Sequence, residues 1–284
     1  MFDRFQRSWD LAAECWRLLT DDKALLVFPL MSSIAMVLII GSFAVPLLPA
    51  FGFAAGRAPH ALSSLGYLGL FAFYWIQYSI VIFFNTALVE VAMRRFDDEE
   101  AGVADGLRRA AALLPVILVY ALIAATVGTV LRAIAERVGI LGRIVVALVG
   151  VGWTVATALV VPILAAENVG PIEAIGRSAE LVKKSWGENI IGNTGIGMVF
   201  GAIMFLVGIT GGVLVLAAFG NREWALGIVL AVALVLAVSL VALAQATLQG
   251  IYSAALYRFA TGDPASGGID RNLLENAFQA KPQG

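Results

Sequence analysis

Polar and reactive residues are what this chain of 284 residues has least of. It carries one cysteine, one histidine and only 14% charged residues. A single cysteine excludes an internal disulfide. Cys15 reads as a small apolar residue beside Trp16, with palmitoylation as the alternative. His60, next to Pro59 between two apolar runs, reads as a solvated loop residue, with a base or ligand as the alternative. No zincin, P-loop, nucleophile elbow or cysteine pair occurs. Long polar stretches are missing too: the longest, 94–109, 167–189 and 261–284, fall short of the roughly 40 residues that an independent core usually needs. These absences exclude a separate soluble catalytic domain. Neither a cofactor nor a metal nor a nucleic-acid partner is expected.

What the chain does have is hydrocarbon. Its residues are 60% hydrophobic with a mean hydropathy of +0.89, where soluble chains average about 45–50%. Six apolar runs cover 24–50, 66–90, 112–131, 141–165, 190–218 and 224–257. Each has roughly 20 or more residues with almost no charge, the length a helix needs to cross a hydrocarbon core about 30 Å thick. Strands are excluded because an open sheet edge in lipid leaves backbone groups unpaired. The expected fold is all-α: a polytopic transmembrane helical bundle of six spans, forming one domain over 1–284. The spans are expected as three helical hairpins, each preceded by a cytoplasmic interfacial amphipathic helix. The first run is far longer than the h-region of a signal peptide, about 7–15 residues, and is expected to stay as an uncleaved anchor.

Basic residues set the orientation. Of 19 Lys and Arg, 14 lie in the N-terminal segment, the second and fourth loops and the C-terminal segment. The opposite side carries Arg57, Arg132, Arg137, Arg143 and Arg222. Both termini are therefore expected in the cytoplasm, and the location is expected to be a prokaryotic cytoplasmic (inner) membrane. The three arginines around Glu136 oppose the rule locally and are expected to reach lipid phosphates on the outer side.

The basic side also carries amphipathic patterns. At 100° per residue, Phe5, Trp9, Ala12, Trp16 and Leu19 form one stripe, which Arg4, Arg7, Asp10, Glu14 and Arg17 avoid. This predicts an amphipathic helix within 1–23 lying in the membrane interface. A second stripe is Val103, Leu107, Ala110 and Leu114, opposite Asp105, Arg108 and Arg109. A third is Ile172, Ile175, Ala179, Val182 and Trp186, opposite Glu173, Arg177 and Lys184. A weaker fourth, Ile269, Leu273, Leu274, Ala277 and Phe278, falls in the C-terminal tail, 261–284. Together they suggest an interfacial helix plus a transmembrane hairpin used three times. The even spans end alike, with Asn85 and Glu90, Pro162 and Glu167, and Gln249 and Ala254 at one spacing. That any cytoplasmic helix end looks this way is the alternative.

The stretch Val160-Val-Pro-Ile-Leu-Ala-Ala-Glu-Asn-Val-Gly-Pro-Ile-Glu-Ala-Ile-Gly-Arg-Ser-Ala-Glu-Leu-Val-Lys-Lys-Ser-Trp-Gly-Glu188 resembles a pattern of uncharacterised prokaryotic six-span membrane families. Arg7-Ser-Trp, Phe28-Pro29, Phe83-Phe84-Asn85 and Ala87-Leu88 are similar to the same families. The stretch also resembles the membrane domain beside some glycerophosphodiester phosphodiesterases and, more distantly, Yip1-like proteins. The resemblance covers nearly the whole chain and implies a fold but no reaction. The phosphodiesterase catalytic domain is absent here, so its activity is not implied.

Polar groups inside apolar runs are the remaining candidates. Tyr67, Phe71, Tyr74, Tyr78 and Asn85 fall within about 60° on a helix, and Gln245, Gln249 and Tyr252 share a face of the last run. With Thr154 and Thr157 they could line a polar cavity; interhelical packing contacts are the alternative. Glu90 and Glu167 are interfacial acids at the ends of the second and fourth runs, with Arg94 one turn from Glu90 as its expected partner. Gly197-x-x-x-Gly201 and Gly208-x-x-x-Gly212 mark close helix packing, within the protomer or against a neighbouring subunit. The first function expected is a non-enzymatic organiser of membrane lipids or partner proteins, with a homo-oligomer or another membrane protein as partner. A channel or passive carrier with a Tyr/Gln/Asn-lined pathway is second. An intramembrane enzyme using Glu90, Glu167 or His60 is third.

Overall fold

The computed structural model describes residues 19–20, 22–47, 64–97, 99–184 and 186–261. Cys15, Arg57, His60, nearly all of the expected helix in 1–23 and the tail helix in 261–284 lie outside the described residues. Among the described residues all regular structure is helical. A 3-10 turn, Lys23–Leu26, leads into α1 (Val27–Leu47). Then follow α2 (Ser64–Phe96), α3 (Val103–Ala112), α4 (Leu114–Arg137), α5 (Ile140–Ala156), α6 (Val160–Glu167), α7 (Pro171–Lys184), α8 (Trp186–Gly220) and α9 (Trp224–Thr261). Six stretches are long and apolar enough to cross a membrane: Lys23–Phe43, Phe71–Phe96, Leu114–Arg137, Ile140–Glu167, Gly197–Gly220 and Trp224–Arg258. The expected six-span helical bundle is thus the observed one.

Three helices are much longer than a bilayer requires. With 33, 35 and 38 residues, α2, α8 and α9 extend about 50–57 Å at about 1.5 Å per residue, against a hydrocarbon core of about 30 Å. The C-terminal parts of α2 and α9 build much of the protein's core. Ile82 to Phe96 of α2 and Leu248 to Tyr257 of α9 supply much of the buried apolar surface, together with Phe28, Ile117, Ile163, Leu164 and Val182. Elsewhere the helices turn apolar side chains outward: Val37, Leu148, Phe205, Leu216 and Leu240 are all exposed. The polar loops are too short to form a core, and helix ends form one instead.

The fourth apolar run, expected as one helix over 141–165, is broken between α5 and α6 at 157–159. Pro162 supplies the reason, since it has no N–H for the Ala158 carbonyl and its ring crowds the preceding turn. The backbone tightens there, with Ala158 N–H donating to Val155 O at 3.2 Å and Val160 N–H to Thr157 O at 3.1 Å. Leu159 N–H leaves the helix pattern and donates to Ser178 Oγ of α7 at 3.0 Å. A buried backbone donor is thereby satisfied by a side chain from another helix.

The two short connecting helices have local causes. Asp105 Oδ2 accepts from Gly102 N–H at 3.0 Å, the acidic half of a capping box at the start of α3. Asn168 ends α6 in the left-handed conformation, φ 48°, and Pro171 opens α7, the order expected where one helix stops and another starts. Gly106 lets α3 lie against α2, because a Cβ there would stand 2.5 Å from the Ala87 carbonyl oxygen and 2.8 Å from Val91 Cγ2. The α8–α9 connection is tight, with Arg222 at φ 62°, and the two helices pack along each other. Helix α4 packs more extensively on α2 than on α5, its neighbour in sequence.

Candidate functional site

The polar groups of the chain gather where α2, α6 and α9 end. Helix α3 sends Arg109 to the C-terminus of α6: its Nε and Nη2 donate to the Ala165 carbonyl at 3.1 and 2.7 Å. Nη2 also donates to Asn168 Oδ1 at 2.9 Å, and Nε lies 3.9 Å from Glu90 Oε2. A guanidinium suits this position because its planar fork serves several acceptors at once. A cation is also favoured against the free carbonyls of a helix C-terminus.

Helix α9 repeats the device on α2. Arg258, 7% exposed, donates from Nη1 to the Met93 carbonyl at 3.2 Å and pairs through Nη2 with Asp97 Oδ1 at 2.6 Å. One residue earlier, the Tyr257 hydroxyl donates to Glu167 Oε1 at 2.8 Å. The other oxygen of Glu167 lies 3.4 Å from Arg177 Nε of α7. In the same last turn of α2, Arg95 pairs with Asp22 at 3.0 Å, tying in the 3-10 turn. The three even-span ends are therefore stitched together by Glu90, Glu167, Arg109, Tyr257 and Arg258.

The sequence singled out the two acids but not these partners. Arg94, expected to pair with Glu90, instead donates to Glu99 at 2.8 Å, and Arg109 takes its place. Arg109 was expected on the polar face of α3, yet it turns inward because Ala165 and Asn168 offer it three hydrogen bonds. Asn168 had a readable signal, an Asn-x-Gly-Pro stop after an apolar helix. Ser178 and Arg109 had none, since their partners are distant in sequence.

The residues expected to line a polar cavity meet different neighbours. Tyr74 OH accepts from Arg132 Nη1 of α4 at 3.2 Å, and the exposed Tyr78 has its hydroxyl near Gly128 of the same helix. Asn85 faces α9 instead, where its Oδ1 and Leu88 crowd the position a Cβ on Gly250 would need. Thr154 and Thr157 donate back to their own helix, to Gly150 O at 3.0 Å and Trp153 O at 2.8 Å. Gln245 is half-buried, Gln249 exposed and Tyr252 buried; the side chain of Tyr67 lies outside the description. One aromatic face is thus divided between two neighbouring helices.

Two of the three arginines around Glu136 have protein partners. Arg132 Nε donates to Glu136 at 3.1 Å, and Arg143 Nε donates to the Ala135 carbonyl at 3.3 Å. A Cβ on Gly197, Gly201, Gly208 or Gly212 would meet nothing within 4 Å among the described residues. Close approach of α8 and α9 uses other glycines: a Cβ on Gly211 would stand 2.5 Å from Leu234 Cδ1, and one on Gly227 would stand 2.7 Å from the Phe219 ring.

No curated protein and no solved structure matches this chain. Likeness to the phosphodiesterase membrane domain or to Yip1-like proteins therefore has no support and carries no further argument. A family model does match residues 64–268, from the first residue of α2 to beyond α9. The chain belongs to the family that this model describes, a family of unknown function (DUF6159).

Proposed function

We propose that this is a non-enzymatic integral membrane protein that organises lipid, and copies of itself or other membrane proteins, at the cytoplasmic membrane. One observation carries the reading: charged groups where α2, α6 and α9 end are engaged with one another and with helix carbonyls. Arg109 and Arg258 close the ends of α6 and α2, and Glu167 is held by Tyr257 and Arg177. Such groups hold a structure together, while the outward surface of α1, α5, α8 and α9 is apolar and faces lipid or another chain. In this reading α3 and α7 are the interfacial amphipathic helices of a three-hairpin repeat. They lie on the cytoplasmic side with both termini, where 14 of the 19 basic residues fall.

A pathway for solutes has less behind it. It would need the Tyr and Asn face of α2 to converge with the Gln face of α9, and the α2 face divides, its tyrosines toward α4 and Asn85 toward α9. The test is reconstitution of the purified full chain in nanodiscs of equimolar phosphatidylglycerol and phosphatidylcholine, with recovery of the lipid that stays bound on extraction. Enrichment of one lipid over the bulk mixture is expected. Bulk composition in the bound fraction, with a strictly monomeric protein, would overturn the proposal; so would protein-dependent ion flux from loaded vesicles.

A further inference from the structure

A groove of about 520 Å³ opens between the C-terminal half of α5 and the end of α7, a size within the roughly 300–1,000 Å³ of ligand pockets. Leu148, Val151 and Val155 line one wall, Ala179 and Val182 the other, and Gly152 lies in the first wall between them. Lys183 stands at the edge and supplies the one charged side chain of the lining. Leu148 and Val151 are 66% and 60% exposed, so the apolar wall runs without interruption into the outward face of α5. Lys183 is exposed too, and among the described residues it makes no ion pair, whereas Arg177, two turns earlier, is engaged with Glu167.

We propose that this groove binds one acyl chain of an anionic phospholipid, with the lipid phosphate on the Lys183 ammonium. The inference rests on the lipid-organising reading and gives it a site. Continuity with an outward apolar face supplies the route by which a chain enters sideways from the bilayer. A methylene chain is matched to walls of Leu, Val and Ala because each buried CH₂ gains by leaving water or loose lipid for a fixed apolar slot. A cation that makes no ion pair among the described residues stands at the edge, where it selects a negative head group and fixes which end of the lipid lies there. A zwitterionic lipid would fill the slot equally well but gain less at Lys183.

Gly152 makes a clean test available, because a Cβ at this position meets nothing within 4 Å among the described residues. Gly152→Leu should therefore fill the groove without displacing the backbone, and Lys183→Glu should leave the groove open but reverse the charge at its edge. Full-length protein is released from nanodiscs of equimolar phosphatidylglycerol and phosphatidylcholine into native mass spectrometry, and retained lipid is counted. Wild type is expected to keep one phosphatidylglycerol per chain. Gly152→Leu should lose that lipid at unchanged melting temperature. Lys183→Glu should keep a lipid while its preference for the anionic one falls about fivefold or more, the effect of a lysine near an anionic surface. Equal retention by wild type and Gly152→Leu would overturn the groove while leaving general lipid enrichment, and with it the broader reading, intact. Loss of self-association in Gly152→Leu with lipid retained would assign the groove to a second copy and equally overturn the proposal. If Gly152→Leu unfolds, Ala179→Leu on the facing wall is measured by the same retention count.

Discussion

Arg109 Nη2 donates to the Ala165 carbonyl at 2.7 Å across 56 positions of sequence, so that a residue of α3 closes the end of α6. The same guanidinium holds Asn168 and lies beside Glu90, which makes it the junction between the ends of α2 and α6. Arg109→Met removes the donors and leaves a carbonyl, an amide oxygen and a carboxylate without their partner. Hydrogen bonds to charged groups are worth about 1.5–3 kcal/mol, so a loss of about 2–3 kcal/mol is expected by reversible unfolding in mixed micelles. Arg109→Lys should recover about half at most, because an ammonium on a flexible stem does not reproduce a planar fork. If Arg109→Lys matched wild type, charge alone would account for the contact. In combination with Glu90→Gln, Arg109→Met should cost less than the two single changes added together, as expected for residues that share an interaction.

Glu167 tests which of two contacts matters more. Its bond from Tyr257 is short, 2.8 Å, and part-buried, whereas Arg177 stands 3.4 Å away with 46% of its side chain exposed. Exposed ion pairs typically contribute about 0–1 kcal/mol, and a hydrogen bond to a carboxylate contributes about 1.5–3. Tyr257→Phe, which deletes one oxygen, should therefore destabilise more than Arg177→Ala, which deletes a whole charged group. The same unfolding measurement ranks them. The reverse order would mean that Glu167 is held chiefly by charge.

How much of this could be read from residues depends on the range of each interaction. The six spans were legible because the bilayer acts on every residue of a run, and composition alone records it. The Pro162 break had a local signal, because proline acts on its own helix, although the run was expected as one helix; the stop at Asn168 likewise acts within four residues. Glu90 and Glu167 stood out as acids at apolar helix ends. Their partners did not, because Arg94 is one turn from Glu90 in sequence while Arg109 reaches the site only after α3 folds back on α2 at Gly106. Helical-wheel reasoning also placed Tyr74, Tyr78 and Asn85 on one face correctly, but a face 33 residues long can meet more than one neighbour. Here it meets α4 through the tyrosines and α9 through Asn85.

Ser178 offers a measurement at one backbone position. Its hydroxyl accepts from Leu159 N–H at 3.0 Å where α5 gives way to α6, and both residues are fully buried. Ser178→Ala strands that donor, at an expected cost of about 1–3 kcal/mol. Hydrogen exchange resolves the effect from general destabilisation: the Leu159 amide should lose more protection than amides in the centres of α4 or α9. Uniform loss across the protein would show that Ser178 acts through packing instead.

The outward glycine ridge of α8 predicts where two copies would touch. Gly197, Gly201, Gly208 and Gly212 lie within about 60° on the helix, and a Cβ on any of them meets nothing within 4 Å among the described residues. Small residues in such rows let backbones approach closely in a bilayer, where packing and not water exclusion drives association. Single cysteines placed at Gly201 and Gly208 in a Cys15→Ser background should therefore form intermolecular disulfides on mild oxidation in nanodiscs or native membranes. The control is Gly211→Cys, whose side chain would point at Leu234 within the protomer and should not cross-link. Gly201→Leu and Gly208→Leu should weaken self-association without lowering the melting temperature, since neither fills space inside the chain. Cross-linking at Gly211 equal to that at Gly201 would report random collision, and the ridge would then face lipid.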